Sequence, residues 1–187
     1  IKETAPGNGI TSSGDVTVKV KVSEDKKAGT LKVDSVTYSK GTDEAAFTNA
    51  YKAASTDATL KVAKTMSGRD FQTGDAFEFK LYNGTGNSIV QTAIDTKSTD
   101  ATSGSTDTVS FDKITYTAAG EYDYTIKETA PGNGITSSGD VTVKVKVSED
   151  KKTGTLKVDS VTYSKGTDAA AFTNAYKAAS TDATLKV

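Results

Sequence analysis

Val141-Thr142-Val143-Lys144-Val145-Lys146-Val147 alternates apolar and polar side chains without a break. In an extended chain successive side chains point to opposite faces, so this stretch has one apolar face and one polar face, as a half-buried strand does. The same period recurs on either side of it. Phe77, Phe79 and Leu81 alternate with Glu78 and Lys80, Tyr122, Tyr124 and Ile126 form another set, and Phe172 with Tyr176 a fourth. Leu156 and Val158 are followed by Val161 and Tyr163, and this change of parity predicts a bulge near Asp159-Ser160. Turn-forming residues separate the runs at Asn83-Gly84, Pro131-Gly132-Asn133-Gly134 and Lys152-Thr153-Gly154. The polar stretch from Asp95 to Thr108 reads as a long loop, and no segment carries a helical period. Seven or eight strands in about 125 residues predict an all-β, immunoglobulin-like β-sandwich.

Residues 1–62 recur at 126–187, an offset of 125, and 60 of the 62 positions are identical. Ala28 faces Thr153 and Glu44 faces Ala169 as the two differences. Such identity indicates recent tandem duplication. Solenoid and propeller periods run to roughly 20–50 residues, so this longer unit is expected to fold with its own core, as beads on a string. The expected division is residues 1–55 as the C-terminal part of a preceding repeat, 56–181 as a complete repeat, and 182–187 as the start of the next. The chain thus reads as a fragment whose natural ends lie elsewhere.

Composition narrows the function. The 187 residues contain no cysteine and no histidine. Disulfides, thiolate–zinc sites, Ser–His–Asp triads and Cys–His nucleophiles are therefore excluded. Formal net charge is −1 with both signs interspersed, unlike the basic face of a nucleic-acid binder. No apolar run approaches the roughly 20 residues of a membrane helix. Gly132-Asn133-Gly134 reads as a hairpin turn, since a dinucleotide fingerprint would open a helix. Asp95, Asp100 and Asp107 fit no EF-hand spacing and read as a solvated loop. Asn83-Gly84-Thr85 is a formal glycosylation sequon, relevant in a secretory eukaryotic setting. No metal or cofactor is expected.

Alternation also exposes an anomaly. Leu60, Val62 and Lys64 share a face, as do Tyr122, Tyr124, Ile126 and Glu128, and Phe172, Asn174 and Tyr176. Three apolar faces thus each carry one polar group. Burial of an unpaired charge is costly, so a shared site for the three is economical. The alternative is that each, lying toward the end of its run, leaves the core, Lys64 by snorkelling to solvent. If they meet, a neutral lysine amine can attack an asparagine carboxamide, forming an amide and releasing ammonia. In water the amine is almost fully protonated at neutral pH. Burial among aromatics disfavours both charged forms, and a protonated Glu can then donate to the carboxamide oxygen. Folding supplies proximity, worth ~7–11 kcal/mol of barrier.

Lys64-Thr65-Met66-Ser67-Gly68-Arg69-Asp70-Phe71 resembles the opening of the isopeptide-linkage domains of Gram-positive major pilins and adhesin stalks, in which Lys and three residues precede Gly-Arg. The aromatic-alternating strand that follows in the family is matched by Phe77-Glu78-Phe79. Gly120-Glu121-Tyr122-Asp123-Tyr124-Thr125-Ile126-Lys127-Glu128 resembles the segment that ends in the family's catalytic Glu. Phe172-Thr173-Asn174-Ala175-Tyr176 resembles the closing motif that carries the reactive Asn. The resemblance spans the whole unit in order. It implies an intramolecular Lys64–Asn174 isopeptide bond joining first and last strands, with Glu128 as the group that catalyses its formation. In the partial copy the carry-over reaches Glu3 and Asn49. Their lysine would precede residue 1, and Lys61 points outward by parity, so Asn49 is expected to stay unreacted unless another chain supplies an amine.

Pilins of this family also carry a separate lysine, often in a Tyr-Pro-Lys setting, that joins subunits through a sortase. This chain shows neither that segment nor a sorting signal. The resemblance therefore implies a non-enzymatic stalk or spacer of a bacterial cell-surface adhesin or fibre, held mechanically and against proteases by the bond. Its expected setting is extracellular, anchored to the cell wall by a region outside this sequence. Its expected neighbours are identical repeats of the same chain, with a host ligand bound through a tip domain not present here. The competing expectation is a repeat that itself binds a host protein or glycan, its affinity multiplied by repetition.

Overall fold

The computed structural model describes residues 1–86, 88–96, 106–129 and 132–185. They form two compact units, one from Ile1–Ala54 with Glu149–Thr155, the other from Ser55–Ser148 and the described chain after Thr155.

The first unit contains β1 (Ile10–Thr11), β2 (Val18–Asp25), β3 (Thr30–Tyr38) and β4 (Ala50–Tyr51). β2 pairs with β3 and β1 with β4, both antiparallel. Between β2 and β3 the register slips: Lys21 pairs Ser35 and Val22 pairs Val33, leaving Asp34 between them. Asp34 is the equivalent of Asp159, where the parity change predicts a bulge. Val16 is buried, and the amino group of Ile1 donates to its carbonyl.

The larger unit contains β5 (Thr56–Ala58), β6 (Lys61–Ser67), β7 (Ala76–Asn83), β8 (Ser88–Thr96), β9 (Thr106–Ser110), β10 (Ile114–Tyr116), β11 (Gly120–Thr129), β12 (Ile135–Thr136), β13 (Val141–Asp150), β14 (Thr155–Tyr163) and β15 (Ala170–Tyr176). Five strands form one sheet in the order β14-β13-β11-β7-β8, and four form the other in the order β12-β15-β6-β9. β5 and β10 make a separate short pair. β6 and β15 lie side by side and parallel, whereas β11 runs antiparallel to both β7 and β13. The described residues hold no helix, and the fold is an all-β, immunoglobulin-like sandwich.

The core lies between the sheets. Phe77, Phe79 and Leu81 from β7, Ile126 from β11, and Val141, Val143, Val145 and Val147 from β13 are buried on one side. Leu60, Val62, Met66, Ala170 and Phe172 meet them from the other, and the rings of Phe79 and Phe172 stand 5.4 Å apart across the gap. Burying each of these large side chains stabilises the fold by about 1.5–3 kcal/mol.

Two expectations need correction. The supposed loop from Asp95 to Thr108 is narrower: β8 continues through Thr96 and β9 begins at Thr106, while Asp100 lies outside the described residues. Both strands are at sheet edges, where the backbone pairs on one side only. The Gly132-Asn133-Gly134 turn is also not a hairpin. Gly132, Asn133 and Gly134 have φ of 78°, 52° and 83°, all in the left-handed region. The turn leads from β11 in the five-stranded sheet to β12 in the four-stranded one. Pro131 lies outside the described residues.

Candidate isopeptide site

β6 has the burial rhythm of a strand with one face in the core, and Lys64 falls on that face between Val62 and Met66. Its side chain is inaccessible to solvent, and Nζ lies 4.1 Å from the centre of the Phe77 ring. Lys61, three residues earlier, is exposed, as its parity requires. Asn174 is equally buried on the neighbouring strand, beyond Phe172, which is in register with Lys64. Glu128 arrives from the opposite sheet, paired with Phe79 across β11 and β7, and its side chain too is shut off from solvent. All three residues selected by parity thus face the same core, and the snorkelling alternative does not hold for Lys64.

Lys64 Nζ stands 3.1 Å from Glu128 Oε1. Nζ also donates to the Thr65 carbonyl at 3.4 Å. Neither Glu128 oxygen is in hydrogen-bonding geometry, so the 3.1 Å approach is an ion-pair contact rather than a directed bond. The Asn174 carboxamide has no hydrogen-bond partner at either its oxygen or its nitrogen. A buried polar group left without a hydrogen bond costs about 1–3 kcal/mol, so the carboxylate and the carboxamide held this way are unfavourable as separate side chains. Phe77, Phe79 and Phe172 supply an apolar surround, and Phe71 closes edge-on against Phe77 with ring centres 5.9 Å apart.

A second charged pair, which the sequence reading left unassigned, lies beside this pocket. Arg69 Nη1 and Nη2 donate to Asp75 Oδ2 and Oδ1 at 2.8 and 2.9 Å, and Nη1 also donates to the Asp70 carbonyl. The guanidinium centre is 5.0 Å from the Tyr176 ring. The hydrogen bond from Arg69 holds the Asp75 carboxyl below its ordinary range, despite partial burial, and Asp75 raises Arg69 in turn. The signal in the sequence was an arginine and an aspartate flanking Phe71 at the mouth of a buried strand.

Glu3 and Asn49 also meet, but in water. Asn49 Nδ2 donates to Glu3 Oε1 at 3.0 Å and Ser12 Oγ donates to Glu3 Oε2 at 2.7 Å, with Asn49 exposed. Among the described residues no group of three acidic side chains gathers as a metal site.

The family model described as "FctA: Spy0128-like isopeptide containing domain" matches residues 1–52 and again 60–177. No curated protein matches the chain. Among solved structures it is similar to the major pilin protein (T-13) of Streptococcus pyogenes, at 21% identity over 67% of this chain and 54% of that one, with a TM-score of 0.48. It is similar to another Streptococcus pyogenes major pilin at 17% identity over 68% and 51%, with a TM-score of 0.47. The pilus adhesin SpaC of Lactobacillus rhamnosus GG matches at 16% identity over 91% of this chain and 19% of that one, with a TM-score of 0.32. The chain spans about half the length of the two pilins. With both of its copies matched by one model, in most of their residues, the chain belongs to the family of Spy0128-like isopeptide-containing domains.

Proposed function

We propose that this chain is a structural repeat of a fibre or stalk on a bacterial cell surface, and that its complete unit is closed by a self-formed bond between Lys64 and Asn174. The observation that carries this reading is the burial of Lys64 and Asn174 on adjacent strands and of Glu128 on the facing sheet, with amine and carboxylate 3.1 Å apart and the carboxamide without a hydrogen bond. The ordinary pKa values of Lys and Glu differ by about six units in favour of the ion pair in water. For Nζ to act as a nucleophile, its proton passes to Glu128 across the 3.1 Å contact, giving a neutral amine and a carboxylic acid.

The neutral Nζ attacks Cγ of Asn174 while the Glu128 acid donates to the carboxamide oxygen. As the tetrahedral adduct collapses, the Cγ–Nδ2 bond breaks and ammonia departs. Of the three protons on the starting ammonium, one stays on the new amide nitrogen, one leaves with Nδ2 and one remains on Glu128. The reaction turns over once, on the protein itself, so the chain is a structural protein and not an enzyme. Neighbouring repeats of the same chain are its proposed partners, with cell-wall anchoring and any host ligand assigned to regions outside this sequence.

Intact-mass measurement tests the bond. The chain is expected to be lighter than its sequence by one ammonia, and Lys64→Ala and Asn174→Ala are each expected to have full mass. A parent chain of full mass would sink the covalent reading.

A further inference from the structure

Asp75 places a second carboxylate at the edge of the reacting pocket. It lies immediately before β7, two residues from Phe77, whose ring centre is 4.1 Å from Lys64 Nζ. Its side chain is largely buried, at 11% exposure. A carboxylate so placed would hold the Lys64 proton on and starve the reaction of neutral amine. Its charge is met by the forked, two-bond contact from Arg69, the strongest geometry available for such a pair.

The fork is fixed from three sides. Asp70 accepts from Nη1, Gln72 N–H donates to Asp75 Oδ2 at 2.9 Å, and the Tyr176 ring lies under the guanidinium. The loop approaches β15 closely because Gly68, at φ +86°, has no Cβ. A Cβ there would sit 2.4 Å from the Tyr176 carbonyl oxygen.

We propose that Arg69 is a positioning residue for bond formation, neutralising Asp75 so that this second carboxylate does not hold the proton on Lys64. The inference rests on the Lys64–Asn174 reading. The groups around the amine are Glu128 from β11, Asp75 and Arg69 from the segment joining β6 to β7, and Asp107, in register with Lys64 on β9. β15 contributes Phe172 and Asn174, which do not titrate, and Tyr176, whose ring lies under the Arg69 guanidinium. The hydrogen bond from Arg69 is the chief cause of the lowering of Asp75, and the charge of Lys64 adds the smallest share.

The test follows ammonia loss by intact mass during cell-free synthesis of the full 187-residue chain, sampled over time and then across a pH series. Arg69→Gln is expected to slow bonding severalfold, and most strongly at lower pH, because an uncompensated Asp75 carboxylate favours the charged amine. Arg69→Gln combined with Asp75→Asn is expected to recover the parent rate and pH profile. Lost packing alone predicts the opposite, since the double variant would then be at least as slow as the single. Bonding of Arg69→Gln at the parent rate, or no recovery in the double variant, overturns the role of Arg69. A parent that never loses ammonia overturns the bond reading itself, a distinguishable failure.

Discussion

Phe172 stands in register with Lys64 across the parallel pairing of β6 and β15, which sets Asn174 one pleat further along the same face. From strand rise and spacing, the Cα atoms of Lys64 and Asn174 are roughly 8 Å apart, a distance that a lysine side chain can span. The bond would close a loop whose ends are 110 positions apart in sequence.

Asn174→Ala should therefore lower stability by about 4–5 kcal/mol in the loop-entropy account, with a fall in melting midpoint on the order of 15 °C. Lys64→Ala should cost more than Asn174→Ala, because it also strands the Glu128 carboxylate in the core. Thermal melts of the two variants check both the drop and its order.

Glu128→Gln should fold with the parent's far-ultraviolet circular dichroism yet keep the full mass, or lose ammonia far more slowly. The amide is nearly the same shape but cannot take a proton from Lys64 as the carboxylate does. Rapid bonding in this variant would remove Glu128 from the chemistry.

Acid should weaken the Arg69–Asp75 clamp in a defined direction. Asp75 is depressed in the folded chain, chiefly by the hydrogen bond from Arg69, so its contribution is complete above the ordinary value of 3.8 and is lost as pH falls through the lower, folded one. In the bond-free Asn174→Ala background, Asp75→Asn should flatten this part of the acid limb of a stability-versus-pH curve.

Peptide mapping supplies a control within the molecule. After tryptic digestion the peptides containing Asn49 and Asn174 differ through Glu44 and Ala169, so the two copies can be told apart. The cross-link to the Lys64 peptide should carry Ala169. The Glu44 peptide should be linear, because Asn49 is exposed and hydrogen-bonded to Glu3 rather than enclosed with an amine.

Much of this arrangement was legible because β-strand parity is a local property. Counting by twos placed Lys64, Glu128 and Asn174 on core faces and found the parity change matched at Asp34, since each inference needed one strand alone. What parity could not supply was pairing. The polar ends of β8 and β9 are paired edge strands, a matter of sheet order that local alternation does not report, and the Gly132–Gly134 turn changes sheets rather than folding back. Burial also depended on context: Val145 and Val147 are buried, while Val20 and Val22, identical in local sequence, are more than half exposed. The first unit holds no counterpart of β6, β7 or β11 to cover them. The Arg69–Asp75 fork was hidden for a similar reason, as its meaning comes from the Phe77 face beside it.

The side-by-side arrangement of β6 and β15 bears on how the molecule is made. During synthesis β6 emerges well before the strand that will flank it, so the pair with the greatest separation along the chain is completed last, and slowly. A covalent tie there would record a finished repeat, because a prematurely terminated chain has no carboxamide to offer. It would also turn any later denaturation into the opening of a ring. The slowest contact to find would never be lost, and refolding would start with that search already done.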